Sequence, residues 1–101
     1  MAGASPKPLE WSEAARRQLA EQVEYVASHD IARPDDVLDR IERAARLIEL
    51  NPGIGTPGRR ATTREWPVHN SPLTLIYRIR PTRIQVLAVV HQRQIFRATK
   101  R

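Results

Sequence analysis

Between residues 73 and 91 apolar and polar positions alternate. Leu73, Leu75, Tyr77 and Ile79 share one parity, and Thr74, Ile76, Arg78 and Arg80 the other. After Pro81-Thr82 the pattern resumes, with Ile84, Val86, Ala88 and Val90 against Arg83, Gln85, Leu87, Val89 and His91. Successive strand side chains point to opposite faces, so each run predicts a half-buried strand. Folded back on each other, the runs set Ile79 opposite Ile84, Tyr77 opposite Val86 and Leu75 opposite Ala88. That register makes one apolar face. The other carries Arg78, Arg80, Arg83, Gln85 and, at its far end, His91, with Ile76 and Leu87 among the charges. Proline cannot take the positive φ of the tightest hairpin turns. A four-residue link keeps the parity of the pairing, and a three-residue link breaks it.

The N-terminal half switches to helical spacing. Residues 7–11 predict a short strand with Leu9 and Trp11 on one side. Ser12 is suited to cap a helix over residues 13–29, and Glu13 sits where the helix dipole favours an anion. Ala15, Leu19, Val23, Val26 and Ala27 form its apolar stripe. Pro34, Asp35 and Asp36 suit the first turn of a second helix. Its stripe is Val37, Leu38, Ile41, Ala44, Ala45 and Ile48, with Asp39–Arg43 and Glu42–Arg46 as candidate i,i+4 pairs. Asn51-Pro52-Gly53 ends it. Two striped helices joined by a short link need a flat apolar surface to cover, and the strands provide one. The predicted fold is α+β: an N-terminal helical hairpin packed on a small, mainly antiparallel sheet of four strands, residues 7–11 included.

The connector NPGIGTPGRRATT, residues 51–63, contains Gly53, Gly55 and Gly58 at the GxGxxG spacing. In dinucleotide-binding folds that spacing follows a strand and opens a helix, whose N–H groups hold the pyrophosphate. Here it follows a helix, contains Pro57 and leads into a strand, so a turn-rich connector is the better reading. Residues 64–69 predict another strand, placed at an edge or bulge by Pro67. Trp66 and Val68 share a face, and Trp66 reads as core rather than as a platform for bases.

Charge divides the chain. Residues 1–58 hold seven basic and ten acidic side chains, whereas residues 59–101 hold ten basic and one acidic, Glu65. A half with net charge +9 suggests a polyanion or an acidic protein partner. There are no cysteines, which excludes disulfides and thiolate metal sites and suits a reducing cytoplasm. No apolar run approaches the roughly 20 residues of a membrane span. One domain is expected, with a flexible start at residues 1–8 and a basic tail at 94–101.

Candidate chemistry is sparse. His29, His69 and His91 are too scattered for a metal site, and no cofactor motif stands. His29 reads as a helix-end residue and His69 as exposed beside the turn Asn70-Ser71-Pro72. His91, followed by Arg93, is the candidate proton carrier. Beside Arg78 it would suit phosphodiester cleavage, with histidine moving the proton and arginine holding the developing phosphorane charge. The plainer reading is a strand-end residue with one structural hydrogen bond.

Four blocks in order, LEWSEAARRQL, LIELNPGIGTPGRR, REWPVHNSPLTLIYRI and IQVLAVVHQR, resemble the ParE/RelE toxin superfamily of bacterial type II toxin–antitoxin modules over residues 9–97. The last block looks most like the ParE-like branch. The resemblance implies a cytoplasmic toxin wrapped by a cognate antitoxin with an acidic, amphipathic C-terminal segment. RelE-like members cut mRNA in the ribosome with several basic residues and often a late Tyr or His, whereas ParE-like members poison DNA gyrase. This chain has two lysines, Lys7 and Lys100, and no tyrosine after Tyr77, so gyrase poisoning ranks first and ribosome-dependent cleavage second. A nuclease would use His91, Arg93 and Arg78, with Arg59 as a further phosphate contact and Phe96 nearby. Antitoxin contacts are expected at Arg78, Arg80, Arg83, Ile76 and Leu87, and target contacts at Arg59, Arg60, Arg93 and Arg97. A non-toxic basic nucleic-acid-binding module is the reading from another class; it needs a stacking aromatic on the arginine face.

Overall fold

A computed structural model of the chain describes residues 7–29 and 32–92. Strand β1 (Leu9–Trp11) leads into helix α1 (Glu13–His29), and α2 (Pro34–Leu50) follows. A 3-10 turn (Pro52–Ile54) then opens onto β2 (Thr56–Pro57), β3 (Arg64–Pro67), β4 (Leu73–Ile79) and β5 (Ile84–His91). These strands form one sheet in the order β1-β5-β4-β3-β2. The pairings are antiparallel except β1 with β5, which is parallel. The fold is α+β as expected, but five strands are present rather than four. The fifth, β2, comes from the connector, where Thr56 and Pro57 pair with Glu65 and Arg64.

The helices start where the local chemistry places them. Ser12 Oγ accepts the Ala15 N–H at 3.0 Å, an N-cap that satisfies one of the free first-turn donors. Pro34 opens α2, and Asp35 and Asp36 sit in its first turn. Val37, Ile41, Ala44, Ala45 and Ile48 of α2 and Ala15 and Val26 of α1 are buried. They meet Leu73, Leu75, Tyr77, Ile84, Val86 and Val89 of the sheet in a single core, against which Leu9, Trp11, Leu19, Val23 and Trp66 pack. Of the ion pairs expected on α2, neither i,i+4 pair closes. Arg46 instead reaches Glu49 at 3.8 Å, and an exposed pair of this kind contributes little. Arg40 of α2 donates to the Asn70 carbonyl at 2.8 Å, tying the helix to the turn between β3 and β4. Asn70 has φ 57° there, a conformation asparagine tolerates better than most residues.

The β4–β5 hairpin keeps its expected register for half its length. Ile79 pairs with Ile84 and Tyr77 with Val86 across the four-residue link, which the Arg80 N–H closes on the Arg83 carbonyl at 2.8 Å. Leu87 is then an extra residue: Ile76 pairs with Ala88 and Leu75 with Val89. A bulge of one residue inverts every side chain beyond it. Val89 therefore enters the core in place of Ala88, Ala88 and Val90 turn to the opposite face, and His91 comes to the helix side.

The bulge is held by α1. The Ser12 N–H donates to the Val86 carbonyl at 2.9 Å. Its Oγ lies 3.3 Å from the Leu87 carbonyl, and Gln18 Oε1 accepts the Val89 N–H at 2.9 Å. Where β1 stops, α1 side chains take over the edge of β5.

Tyr77 organises the connector. Its buried hydroxyl accepts the Gly55 N–H at 2.9 Å and donates to the Pro52 carbonyl at 2.6 Å. A Cβ on Gly55 would lie 2.7 Å from that hydroxyl and 3.0 Å from the Glu65 carbonyl, so only glycine fits. The GxGxxG spacing thus serves close packing of backbone on a phenol. Burial raises the Tyr77 pKa above its ordinary 10.0, and the Gly55 N–H and the Arg64 charge partly oppose that.

Candidate functional site

The helices cover one face of the sheet and leave the other open. Cross-strand pairing puts Glu10 beside Gln85 and Gln85 beside Arg78 on that open face, with Ile76 beside both Ala88 and Glu65. Arg83 joins them, its Nε 3.6 Å from the Glu10 carboxylate. The Nε atoms of Arg78 and Arg83 are buried without hydrogen-bond partners, while Arg80 stands exposed in the hairpin link.

A groove of about 510 Å³ crosses this face. Its floor is Ile76, Leu87, Ala88 and Val90; Gln18 of α1 stands on one side, and Arg59, Arg60 and Thr63 of the connector on the other, with Glu65 between. The connector wall is a hairpin with its own bonds. The Gly58 N–H donates to the Thr63 carbonyl at 2.8 Å, and Thr63 Oγ1 donates to the Arg60 carbonyl at 2.8 Å. A Cβ on Gly58 would collide with Thr63 Oγ1. Arg59 and Arg60 are exposed at the tip.

The sequence-derived sites divide accordingly. Ile76 and Leu87 do meet on the open face, and the connector arginines, assigned to the target, lie beside them. Arg78 and Arg83 share this face with Gln85 and Glu10. His91 does not join them. Its imidazole meets the ring of Tyr25 of α1 edge-on, centroids 5.6 Å apart, because the bulge turned it to the helix side. The expectation of His91 on the arginine face is corrected by that extra residue. Tyr25 also stacks on His29 at 4.0 Å, and His29 Nδ1–H donates to the Tyr25 carbonyl at 2.8 Å, the helix-end role expected of it. Arg93, Phe96 and Arg97 lie outside the described residues. Ala88, Val90 and Gln18 were missed as groove residues, since only the bulge brings the first two outward. Among the described residues no group of three His, Cys, Asp or Glu side chains could hold a metal.

Comparison with known proteins gives this geometry a family. Residues 9–96 match the model of the ParE toxin of type II toxin–antitoxin systems, parDE. Y4kP of Sinorhizobium fredii (strain NBRC 101917 / NGR234), whose name proposes a toxin, is 32% identical over 90 residues, covering 89% of this chain and 93% of that protein. Among solved structures, a chain of the chromosomal ParDE TA system from P. aeruginosa superposes with a TM-score of 0.70 at 19% identity, covering 84% of this chain and 95% of its own. A chain of the toxin–antitoxin complex RelBE2 from Mycobacterium tuberculosis gives 0.60 at 24% identity, covering 86% and 99%. The two structures share the fold, and the family model and the S. fredii relative carry the assignment further. The chain belongs to the ParE toxin family of type II toxin–antitoxin systems.

Proposed function

We propose that this ParE-family toxin arrests growth by binding and poisoning DNA gyrase rather than by cutting RNA, and that a cognate antitoxin neutralises it in the cytoplasm. The position of His91 carries this reading. A general acid or base must come within hydrogen-bond reach, about 2.6–3.2 Å, of the proton it moves. The His91 ring lies against Tyr25 on the helix side, while Arg59 and Arg60 line a groove on the opposite side of the sheet. A phosphodiester held by those arginines would have the whole sheet between it and the imidazole. Docking to a large protein makes no such demand. It uses arginines and apolar surface, here Arg59 and Arg60 with Arg93 and Arg97 of the C-terminal segment. The antitoxin is assigned to the same open face, its carboxylates toward Arg78, Arg80 and Arg83 and its apolar side chains over Ile76 and Leu87.

Induction of the chain in a sensitive bacterium tests the proposal, with plasmid supercoiling and mRNA 5′ ends followed together. Loss of supercoiling ahead of any new 5′ ends is expected. New 5′ ends within translated messages, at unchanged supercoiling, would overturn it in favour of a RelE-like endonuclease.

A further inference from the structure

We propose that the outer groove of the helical hairpin is a two-fold interface between two copies of this chain, with α1 lying antiparallel across α1 of the partner subunit. The interface is independent of the target and antitoxin readings above. A groove of about 410 Å³ runs between the two helices on a side to which no strand contributes. Leu19 and Val23 of α1 and Leu38 of α2 are half-buried and form its apolar bed, while Arg16, Ala20 and Glu24 stand exposed along the α1 side. Among the described residues neither the Arg16 guanidinium nor the Glu24 carboxylate closes an ion pair.

Charge identifies the occupant. Residues 1–58, which build this groove, hold seven basic and ten acidic side chains, so it does not draw a nucleic acid or an acidic segment as the basic half does. The groove is complementary to itself instead. Arg16, Ala20 and Glu24 lie at i, i+4 and i+8, along one ridge of the helix. In an antiparallel crossing centred on Ala20, each α1 position faces the one equally far from residue 20 on the other copy. Arg16 then meets Glu24 of the partner subunit, and Glu24 meets Arg16 of the partner subunit, each about 6 Å along the axis from the crossing. By the same rule Glu13 falls opposite Ala27, Arg17 opposite Val23 and Glu21 opposite Leu19, so no like charges face each other. A parallel crossing would set Arg16 on Arg16 and Glu24 on Glu24. Ala20, with its single methyl, lets the axes approach to about 8 Å, the near end of the range for packed helices. Such a contact uses the same patch on both copies and closes on itself. The groove is helical, so the open faces of both sheets stay uncovered and a dimer presents two of them at once.

The test is sedimentation equilibrium of the full chain at rising concentration, up to about 0.5 mM, a range that reveals even weak association. Wild type is expected to pass from monomer to dimer. Arg16→Glu alone opposes carboxylates at both ends of the crossing, and Glu24→Arg alone opposes guanidinium groups, so each should dimerise at least tenfold more weakly. Mixed in equal amounts, the two variants should pair with wild-type affinity, because every end then meets its opposite. The double variant Arg16→Glu/Glu24→Arg should self-associate as wild type does yet fail to pair with wild type, which keeps the test decisive if a single variant folds poorly. Unchanged helical circular dichroism checks the fold of each. The proposal is overturned if wild type stays monomeric throughout, if the mixture associates no better than its separate components, or if Leu50→Lys or Ala88→Arg dissolves the dimer while the α1 variants do not. Methyl NMR shifts at Leu19, Val23 and Leu38 on adding a synthetic acidic 15-residue helix, without self-association of the chain, also overturn it and give the groove to another partner.

Discussion

Replacing Tyr77 with phenylalanine removes one oxygen and keeps the ring in its place in the core. That oxygen accepts from Gly55 at 2.9 Å and donates to Pro52 at 2.6 Å, so the variant strands a donor and an acceptor. A buried polar group left without a partner costs about 1–3 kcal/mol. Gly55 is buried and Pro52 half-buried, which sets the expected loss at about 2–4 kcal/mol, taking the full range for the Gly55 donor and about 1 kcal/mol for the Pro52 acceptor. In a domain of this size each kcal/mol moves Tm by about 4–8 °C, so a fall of roughly 10–30 °C is expected. Urea unfolding followed by the fluorescence of Trp11 and Trp66 measures it. The raised pKa of Tyr77 adds a pH signature. The folded state holds the phenolic proton more tightly than the unfolded chain, so this contribution is complete below pH 10 and is lost as pH rises beyond it. Tyr77→Phe should lack that part of the alkaline loss. A destabilisation under about 0.5 kcal/mol would refute the claim that this hydroxyl anchors the connector.

Two further variants test the same framework. Gly55→Ala forces a Cβ to within 2.7 Å of the Tyr77 hydroxyl and should cost about 1–3 kcal/mol in urea unfolding, part of it recovered in the Tyr77→Phe background; full additivity would show that the two do not interact. Ser12→Ala removes the cap of α1 and the contact with the Leu87 carbonyl; a loss of about 1–2 kcal/mol is expected, with slower amide exchange at Ala15 than in the parent counting against it.

Both helices were legible, with their starts at Glu13 and Pro34 and their ends closely bracketed, because their stripes are long and their starts carry capping chemistry at Ser12 and Pro34-Asp35-Asp36. The first half of the hairpin was legible for a similar reason: arginines and glutamine alternate with apolar residues from Tyr77 to Val86 and fix which side faces in. Past Val86 that contrast disappears. Leu87, Ala88, Val89 and Val90 are all apolar, so nothing local marks which one is extra. The bulge is set instead from residues about seventy positions away, Ser12 and Gln18. His91 went to the wrong face with it, and Ala88 and Val90 were left out of the groove. Strand β2 was hidden for another reason. Two residues carry no periodicity, and only pairing with Arg64 and Glu65 makes them a strand.

Purified components separate a toxin that docks on gyrase from one that cuts RNA. Wild-type chain and His91→Ala are each added to gyrase with relaxed plasmid and ATP, and separately to translating ribosomes with a defined mRNA. Both proteins are expected to inhibit supercoiling to within about threefold of each other, since removing a general acid or base would cost about 100- to 10,000-fold, and neither is expected to cut the message. Gyrase unaffected by the wild type, together with mRNA cleavage that His91→Ala abolishes, would contradict docking on gyrase.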